Sequence, residues 1–90
     1  MNFNEISKDF SDVSEMCELK RTLQVTIKDT IYRVEVFYCH SNPNAEWTAS
    51  IYSSYDGSYW TQLEEFPWIG EREEETAIRL SLNFLTERAT

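Results

Sequence analysis

Glycine, proline and cysteine are scarce in this sequence, which has two residues of each among 90. Two glycines cannot form the Gly-rich loop whose backbone N–H groups hold a nucleotide phosphate. Cys17, Cys39 and the single histidine, His40, do not follow the ligand spacing of a zinc site. We predict no nucleotide chemistry and no cofactor, and keep a calcium- or metal-responsive protein as an alternative because acids are abundant.

The two cysteines also bear on the compartment in which the protein works. The sequence has no signal-peptide pattern and no apolar run near the roughly 18 residues that a membrane span needs. Disulfides are rare in a reducing compartment, and Cys39 lies in an apolar run that is typical of a buried strand. We predict a cytoplasmic protein with reduced cysteines, in preference to a Cys17–Cys39 bridge.

Basic residues are outnumbered, with 8 Lys and Arg against 16 Asp and Glu, which gives a net charge of −8. Phosphate-binding surfaces need clustered bases, so direct nucleic-acid binding is not expected. An anionic membrane surface would repel the chain for the same reason. A protein with a basic surface is the partner that this charge favours.

Catalytic signatures are missing as well. His40 is the only histidine, and no strand–turn–helix motif such as G-x-S-x-G supplies a nucleophile for it to activate. A triad assembled from distant residues stays open on sequence grounds. The pattern favours a protein that is not an enzyme.

Alternating apolar residues predict a sheet between residues 22 and 63. Leu23, Val25 and Ile27 alternate with polar residues, and the run 31–40 is rich in β-branched and aromatic residues. A turn at Asp29-Thr30 would pair the two strands with Ile27 opposite Tyr32. All the apolar partners would then lie on one face.

Two further strands complete the predicted meander. Trp47, Ala49 and Ile51 would point inward, with Thr48, Ser50 and Tyr52 pointing outward. Asp56-Gly57 is a typical two-residue hairpin turn, which would place Ser53 opposite Trp60 in a fourth strand over residues 59–63. Phe66, Trp68 and Ile69 are predicted to cover one end of the core.

Helical spacing appears at both ends of the chain. Apolar residues three and four apart predict an N-terminal amphipathic helix within residues 1–20, either docked or mobile: Phe3, Ile6, Phe10, Val13 and Cys17. A C-terminal helix is predicted over about 71–88, with an apolar arc made of Ala77, Ile78, Leu80, Leu82, Phe84, Leu85 and Ala89. The predicted fold is one α+β domain over residues 1–90, a four-stranded antiparallel meander packed by the C-terminal helix.

A resemblance to HicB-type antitoxin domains rests on three short motifs between residues 47 and 88. They are Asp56-Gly57-Ser58-Tyr59-Trp60, Phe66-Pro67, and Glu74-Glu75-Thr76-Ala77. The family's Gly-Cys after the loop and Gly-Asp-Thr before the helix are absent, and Trp68-Ile69-Gly70-Glu71 stands there instead. The resemblance implies a compact strand-rich fold with a closing helix and an antitoxin-like role.

Acids beside exposed aromatic residues resemble a protein-binding hot spot. We predict a small, acidic, non-catalytic regulator or inhibitor that masks a basic or nucleic-acid-binding surface of its partner. A phage-type inhibitor of a defence system is one form of this prediction, since such proteins are similar in size and charge. A homodimer through an exposed edge strand is a further option. The predicted partner-binding residues are Glu64, Glu65, Trp68, Glu71, Glu73 and Glu74, with Tyr52 and Tyr59 as a second surface.

Overall fold

A computed structural model of the protein describes residues 3–40 and 45–89. The elements in chain order are α1 (Phe3–Lys8), β1 (Met16–Ile27), β2 (Thr30–His40), β3 (Ala45–Ser54), β4 (Thr61–Gln62) and α2 (Glu74–Arg88). The strands form one antiparallel sheet in the order β1-β2-β3-β4. The predicted α+β fold, a four-stranded antiparallel sheet with a C-terminal helix, is confirmed. Among the residues described, no helix combines the length and the apolar character that crossing a membrane requires.

Helix α2 packs against one face of the sheet, which we call the inner face. Val34, Val36, Ile51 and Leu85 form the centre of this core, each with at most 1% of its surface exposed. Burying such a side chain contributes about 1.5–3 kcal/mol. The uncovered side of the sheet is called the outer face.

The buried stripe of α2 is narrower than its sequence suggests. Ala77, Ser81 and Leu85 are its buried residues, spaced four apart as on one helical face. Leu80 lies outside the stripe with 37% of its surface exposed, so its place in the predicted apolar arc is wrong. The helix also begins at Glu74 rather than Glu71, because Glu71 forms a bridge with Trp47 of β3.

The first hairpin has a different register from the predicted one. Val25 lies opposite Tyr32 and Ile27 opposite Thr30, a shift of two residues that leaves the apolar set on the same face. The turn is made by Lys28 and Asp29, since Lys28 adopts a φ of 56°. A positive φ is unusual for lysine, so the residue type at position 28 gives no sign of this turn.

The second hairpin differs from its prediction by one residue. Ser53 pairs with Thr61 instead of Trp60, and β4 contains only Thr61–Gln62. Asp56 accepts hydrogen bonds from the backbone N–H groups of Ser58 (2.8 Å) and Tyr59 (3.3 Å). These bonds extend the loop beyond a two-residue turn and also hold the pKa of Asp56 below its usual value.

The N-terminal prediction is wrong beyond residue 8. Of the described residues before β1, only Phe3–Lys8 is helical, and the chain is already a strand at Met16. Phe10 and Val13 are 59% and 39% exposed, so they do not dock on the core as a helical face. Spacing of three and four residues reaches Cys17 by coincidence, because Cys17 and Leu19 follow the two-residue period of β1. Met1 and Asn2 lie outside the described residues.

Candidate binding site on the outer face of the sheet

The edge of β3 is only partly paired, and the chain that follows β4 arches along it. The Leu63 N–H donates to the carbonyl of Ile51 at 2.8 Å, and Trp47 and Glu71 exchange backbone hydrogen bonds of 2.7 and 2.9 Å. Between these two attachments residues 64–70 span the edge beside Thr48–Ser50. The loop therefore brings side chains to both faces of the sheet.

The three apolar residues of this loop separate as they cross the edge. Phe66 and Ile69 turn inward, and the Phe66 ring centroid lies 5.0 Å from that of Phe84. Trp68 remains 63% exposed and lies against the outer face. The prediction that all three cover the core holds for the first two and fails for Trp68.

Trp68 forms one wall of a cavity of about 210 Å³ on the outer face. The other lining residues come from three strands and are Cys17, Phe37, Cys39, Thr48 and Ser50. Phe37 lies directly opposite Thr48 in the sheet register, so their side chains share this face. The cavity thus combines aromatic and sulfur-containing walls with two hydroxyl-bearing residues, Thr48 and Ser50.

Thr48 forms the floor of the cavity. Its side chain is 3% exposed, and its hydroxyl oxygen has no hydrogen-bond partner among the residues described. A buried polar group left unpaired costs about 1–3 kcal/mol. The outward direction predicted for Thr48 is correct, but the residue is buried, and Trp68, twenty residues further along, lines the same cavity.

Cys17 and Cys39 are joined by a disulfide, which contradicts the prediction of reduced cysteines. Because β1 begins at Met16, Cys17 lies directly opposite Cys39, with a Cα–Cα distance of 4.0 Å. The sequence reading began the strand near residue 22 and left Cys17 on a helix. The cytoplasmic location stays a prediction, without the support drawn from free thiols.

Three acidic residues are contact or cross-strand neighbours of residues that line the cavity, and we call Glu15, Glu35 and Glu46 the acidic rim. Glu15 Oε1 lies 2.9 Å from the sulfur of Cys17. Glu46 is the cross-strand partner of Cys39, and its carboxylate packs so closely on Gly70 that a Cβ there would lie 2.5 Å from it.

Glu35 is the cross-strand partner of Ser50, and it also interacts with Tyr52. Partial burial raises the pKa of Tyr52, and the charge of Glu35 and its hydrogen bond to the phenol raise it further. None of the acidic-rim residues was predicted as a binding residue.

The predicted acidic residues do not form one patch around Trp68. Glu65 is paired with Arg88 at the C-terminal end of α2, and its own backbone N–H, then Arg88, lowers its pKa. Glu74 is paired with Arg21 at 2.8 Å at the N-terminal end. The 15 residues of α2 separate these ends by about 22 Å. Glu64 and Glu73 are exposed, and Glu71 is half-buried.

The two residues of the predicted second surface come from different segments. Tyr52 lies on β3, whereas Tyr59 lies in the loop before β4 with 82% of its surface exposed. Trp60 lies beneath the guanidinium of Arg33, 4.1 Å from the ring centroid. Of the predicted binding residues, only Trp68 lines the outer-face cavity.

His40 is placed on the inner side of the sheet, away from the cavity. Its Nε2 lies 2.6 Å from Glu18 Oε2, and this hydrogen bond holds the pKa of Glu18 below its usual value. The Tyr38 ring lies between His40 and Trp47, at centroid distances of 4.7 and 4.8 Å. These contacts join the strands at the end of the sheet near residues 40 and 45.

Fold and site together define a small α+β domain with a helix on one face of its sheet and a lined cavity on the other. No family model, curated protein or solved structure matches this chain. The resemblance to HicB-type antitoxins therefore stays a prediction.

Proposed function

We propose that the protein is an acidic, non-catalytic regulator or inhibitor that binds a basic protein through the outer-face cavity. The observation that carries the proposal is the hydroxyl of Thr48, which is buried without a partner among the described residues and lies at the cavity that Trp68 also lines, on the sheet face opposite α2. A buried polar group without a partner is uncommon in folded proteins. A hydrogen-bonding group from a binding partner would remove its cost.

The chemistry of the cavity suits a lysine or arginine side chain. The aliphatic stem would lie between Phe37 and Trp68, where a cation over an aromatic ring gains about 0.5–2 kcal/mol. The Thr48 hydroxyl oxygen has less than 1 Å² of accessible surface in the free protein, so the exposed Trp68 ring would have to turn aside as the partner binds. The terminal N–H group would then donate to this oxygen, which has lone pairs to accept it. The acidic rim would compensate the positive charge from outside the cavity.

Long-range charge favours the same class of partner. The chain carries a net charge of −8, and the acidic rim adds local negative potential at the site itself. Complementary charge raises association rates and makes them fall as salt increases. The partner surface should therefore be basic, whether or not it also handles nucleic acid.

The proposal is tested by capturing the partner and then measuring a purified pair. The wild-type protein, Trp68→Ala and Tyr55→Ala are immobilised in parallel and exposed to extract from the source cells. The retained protein is identified by mass spectrometry, purified, and titrated by calorimetry at two salt concentrations. Tyr55 is the matched control, because it is a 90% exposed aromatic residue that does not line the outer-face cavity.

Loss of a central tryptophan should weaken binding about 30-fold, equivalent to about 2 kcal/mol. Tyr55→Ala should change the affinity less than about threefold. Equal affinity for the wild type and Trp68→Ala would reject this site. An acidic contact surface on the purified partner, or affinity independent of salt, would reject the proposed class of partner.

A further inference from the structure

Glu15, Cys17 and Cys39 bring three potential metal ligands together at one side of the outer-face cavity. A carboxylate oxygen of Glu15 and the two sulfurs lie within 4.8 Å of one another. Glu15 and Cys17 are exposed, whereas Cys39 is 1% exposed. An ion can therefore reach Glu15 and Cys17 from solvent, while the third ligand, Cys39, is held in place by burial.

The contact between Glu15 and Cys17 is the observation that points to a ligand. Glu15 Oε1 lies 2.9 Å from a sulfur that, in the disulfide, carries no hydrogen to donate. Both atoms then present lone pairs to each other. A thiol proton or a cation between them would turn this contact into an attractive one.

We propose that the reduced protein binds a thiophilic divalent cation, with Zn²⁺ as the representative ion, through Glu15, Cys17 and Cys39. Zn–S bonds of about 2.3 Å in a tetrahedral site separate the two sulfurs by roughly 3.8 Å. In the disulfide the two sulfurs are bonded and lie closer than this, so binding requires them to move apart after reduction. Turning the exposed Cys17 side chain supplies that movement. Water completes the fourth position, as in other sites with three protein ligands.

The disulfide and the metal-bound thiolates exclude each other, because both use the sulfurs of Cys17 and Cys39. A dithiol reductant supplies two electrons and two protons, which convert the disulfide into two thiols. Each thiol then releases its proton to solvent as its sulfur binds the cation, so one Zn²⁺ displaces two protons. Sequence spacing gave no sign of this site, because strand pairing rather than helix or loop spacing brings the ligands together.

The experiment compares reduced and oxidised full-length protein without oxygen. Co²⁺ is added first, since thiolate coordination produces a charge-transfer absorption band, and Zn²⁺ affinity is then measured by competition with a chromophoric chelator. Cys17→Ser and Glu15→Gln remove one ligand each and leave the buried Cys39 in place. Asp12→Asn is the matched control, because it neutralises an exposed acid of the same segment.

Reduced wild-type protein and Asp12→Asn should bind one ion and show the band. Oxidised protein should show neither, and Cys17→Ser should lose the band. Glu15→Gln should weaken Zn²⁺ binding by at least about tenfold, in line with losses at metal sites. Absence of stoichiometric binding by the reduced wild type, or equal affinity in Glu15→Gln, would overturn the proposal. Neither result depends on the protein partner. The metal-binding proposal can therefore be rejected without rejecting the proposed binding of a basic protein, and the reverse also holds.

Discussion

The two faces of the sheet use buried residues for different purposes. On the inner face Val34, Ile51 and Leu85 are apolar and at most 1% exposed, so their burial stabilises the fold without any partner. On the outer face Thr48 is buried with an unpaired hydroxyl, and the large ring of Trp68 is mostly exposed. The unpaired hydroxyl on the outer face therefore lowers the stability of the free protein, whereas the inner-face residues raise it.

This difference shows where stability and function separate in the domain. A domain of this size has only about 5–10 kcal/mol of stability, so an unpaired buried hydroxyl is a measurable fraction of the total. Residues that harm stability in the free protein are candidates for binding residues. Substitutions on the two faces should therefore change different measurable quantities.

The largest expected effect is on the inner face. Leu85→Ala should lower the free energy of unfolding by about 2–5 kcal/mol, because it leaves a cavity in a closed core. Leu19→Ala is the outer-face counterpart at a 51% exposed leucine, and it should cost less than about 1 kcal/mol. Urea unfolding followed by circular dichroism measures both, with the midpoint compared at constant slope. Similar losses in the two variants would contradict the comparison of the faces.

A smaller effect of opposite sign is expected at Thr48. Thr48→Val keeps the shape of the side chain but removes the unpaired hydroxyl, so the free energy of unfolding should rise by about 1 kcal/mol. Partner affinity should fall in the same variant. Ser81→Ala is the inner-face control: the Ser81 hydroxyl is buried but donates to the Ala77 carbonyl at 2.9 Å.

Ser81→Ala should change stability by less than about 0.5 kcal/mol, since loss of the hydrogen bond is offset by the better helix propensity of alanine. The free energies of unfolding of both variants are measured by urea denaturation. A destabilised Thr48→Val would show that the hydroxyl is satisfied in the free protein, and the argument for the cavity would lose its main support.

The inner face could be predicted from the sequence because its signal is local. Alternation at Leu23, Val25 and Ile27 and at Ala49 and Ile51 identifies the inward side chains even though both hairpin registers were misplaced. The registers were missed for local reasons as well. Lys28 adopts a backbone conformation that is rare for lysine. Asp56 accepts a hydrogen bond from a backbone N–H group of the loop, which makes the loop longer than the predicted two-residue turn.

The outer face could not be predicted in the same way, because long-range contacts create it. Thr48 has the sequence signature of an exposed strand residue, but it is buried at a cavity whose lining comes from three strands and from the loop that carries Trp68. Cys17 reaches Cys39 only when β1 extends back to Met16. One local signal was present: Phe37 and Cys39 are apolar at outward positions of β2, which indicates that the outer face is not fully solvated.

The smallest expected effect is the pH dependence associated with Tyr52 on the outer face. Burial and Glu35 raise its pKa above 10.0 in the folded protein, so the neutral phenol is favoured by folding. The associated stability is complete below about pH 10 and is lost as the pH rises, because Tyr52 then ionises first in the unfolded chain. Tyr52→Phe should make the alkaline decrease in the free energy of unfolding shallower. Glu35→Gln should do so in part, since it removes the charge and leaves the burial. Urea unfolding between about pH 9 and about pH 11 measures the slopes, and unchanged slopes in both variants would show that Tyr52 is as solvated as an exposed tyrosine.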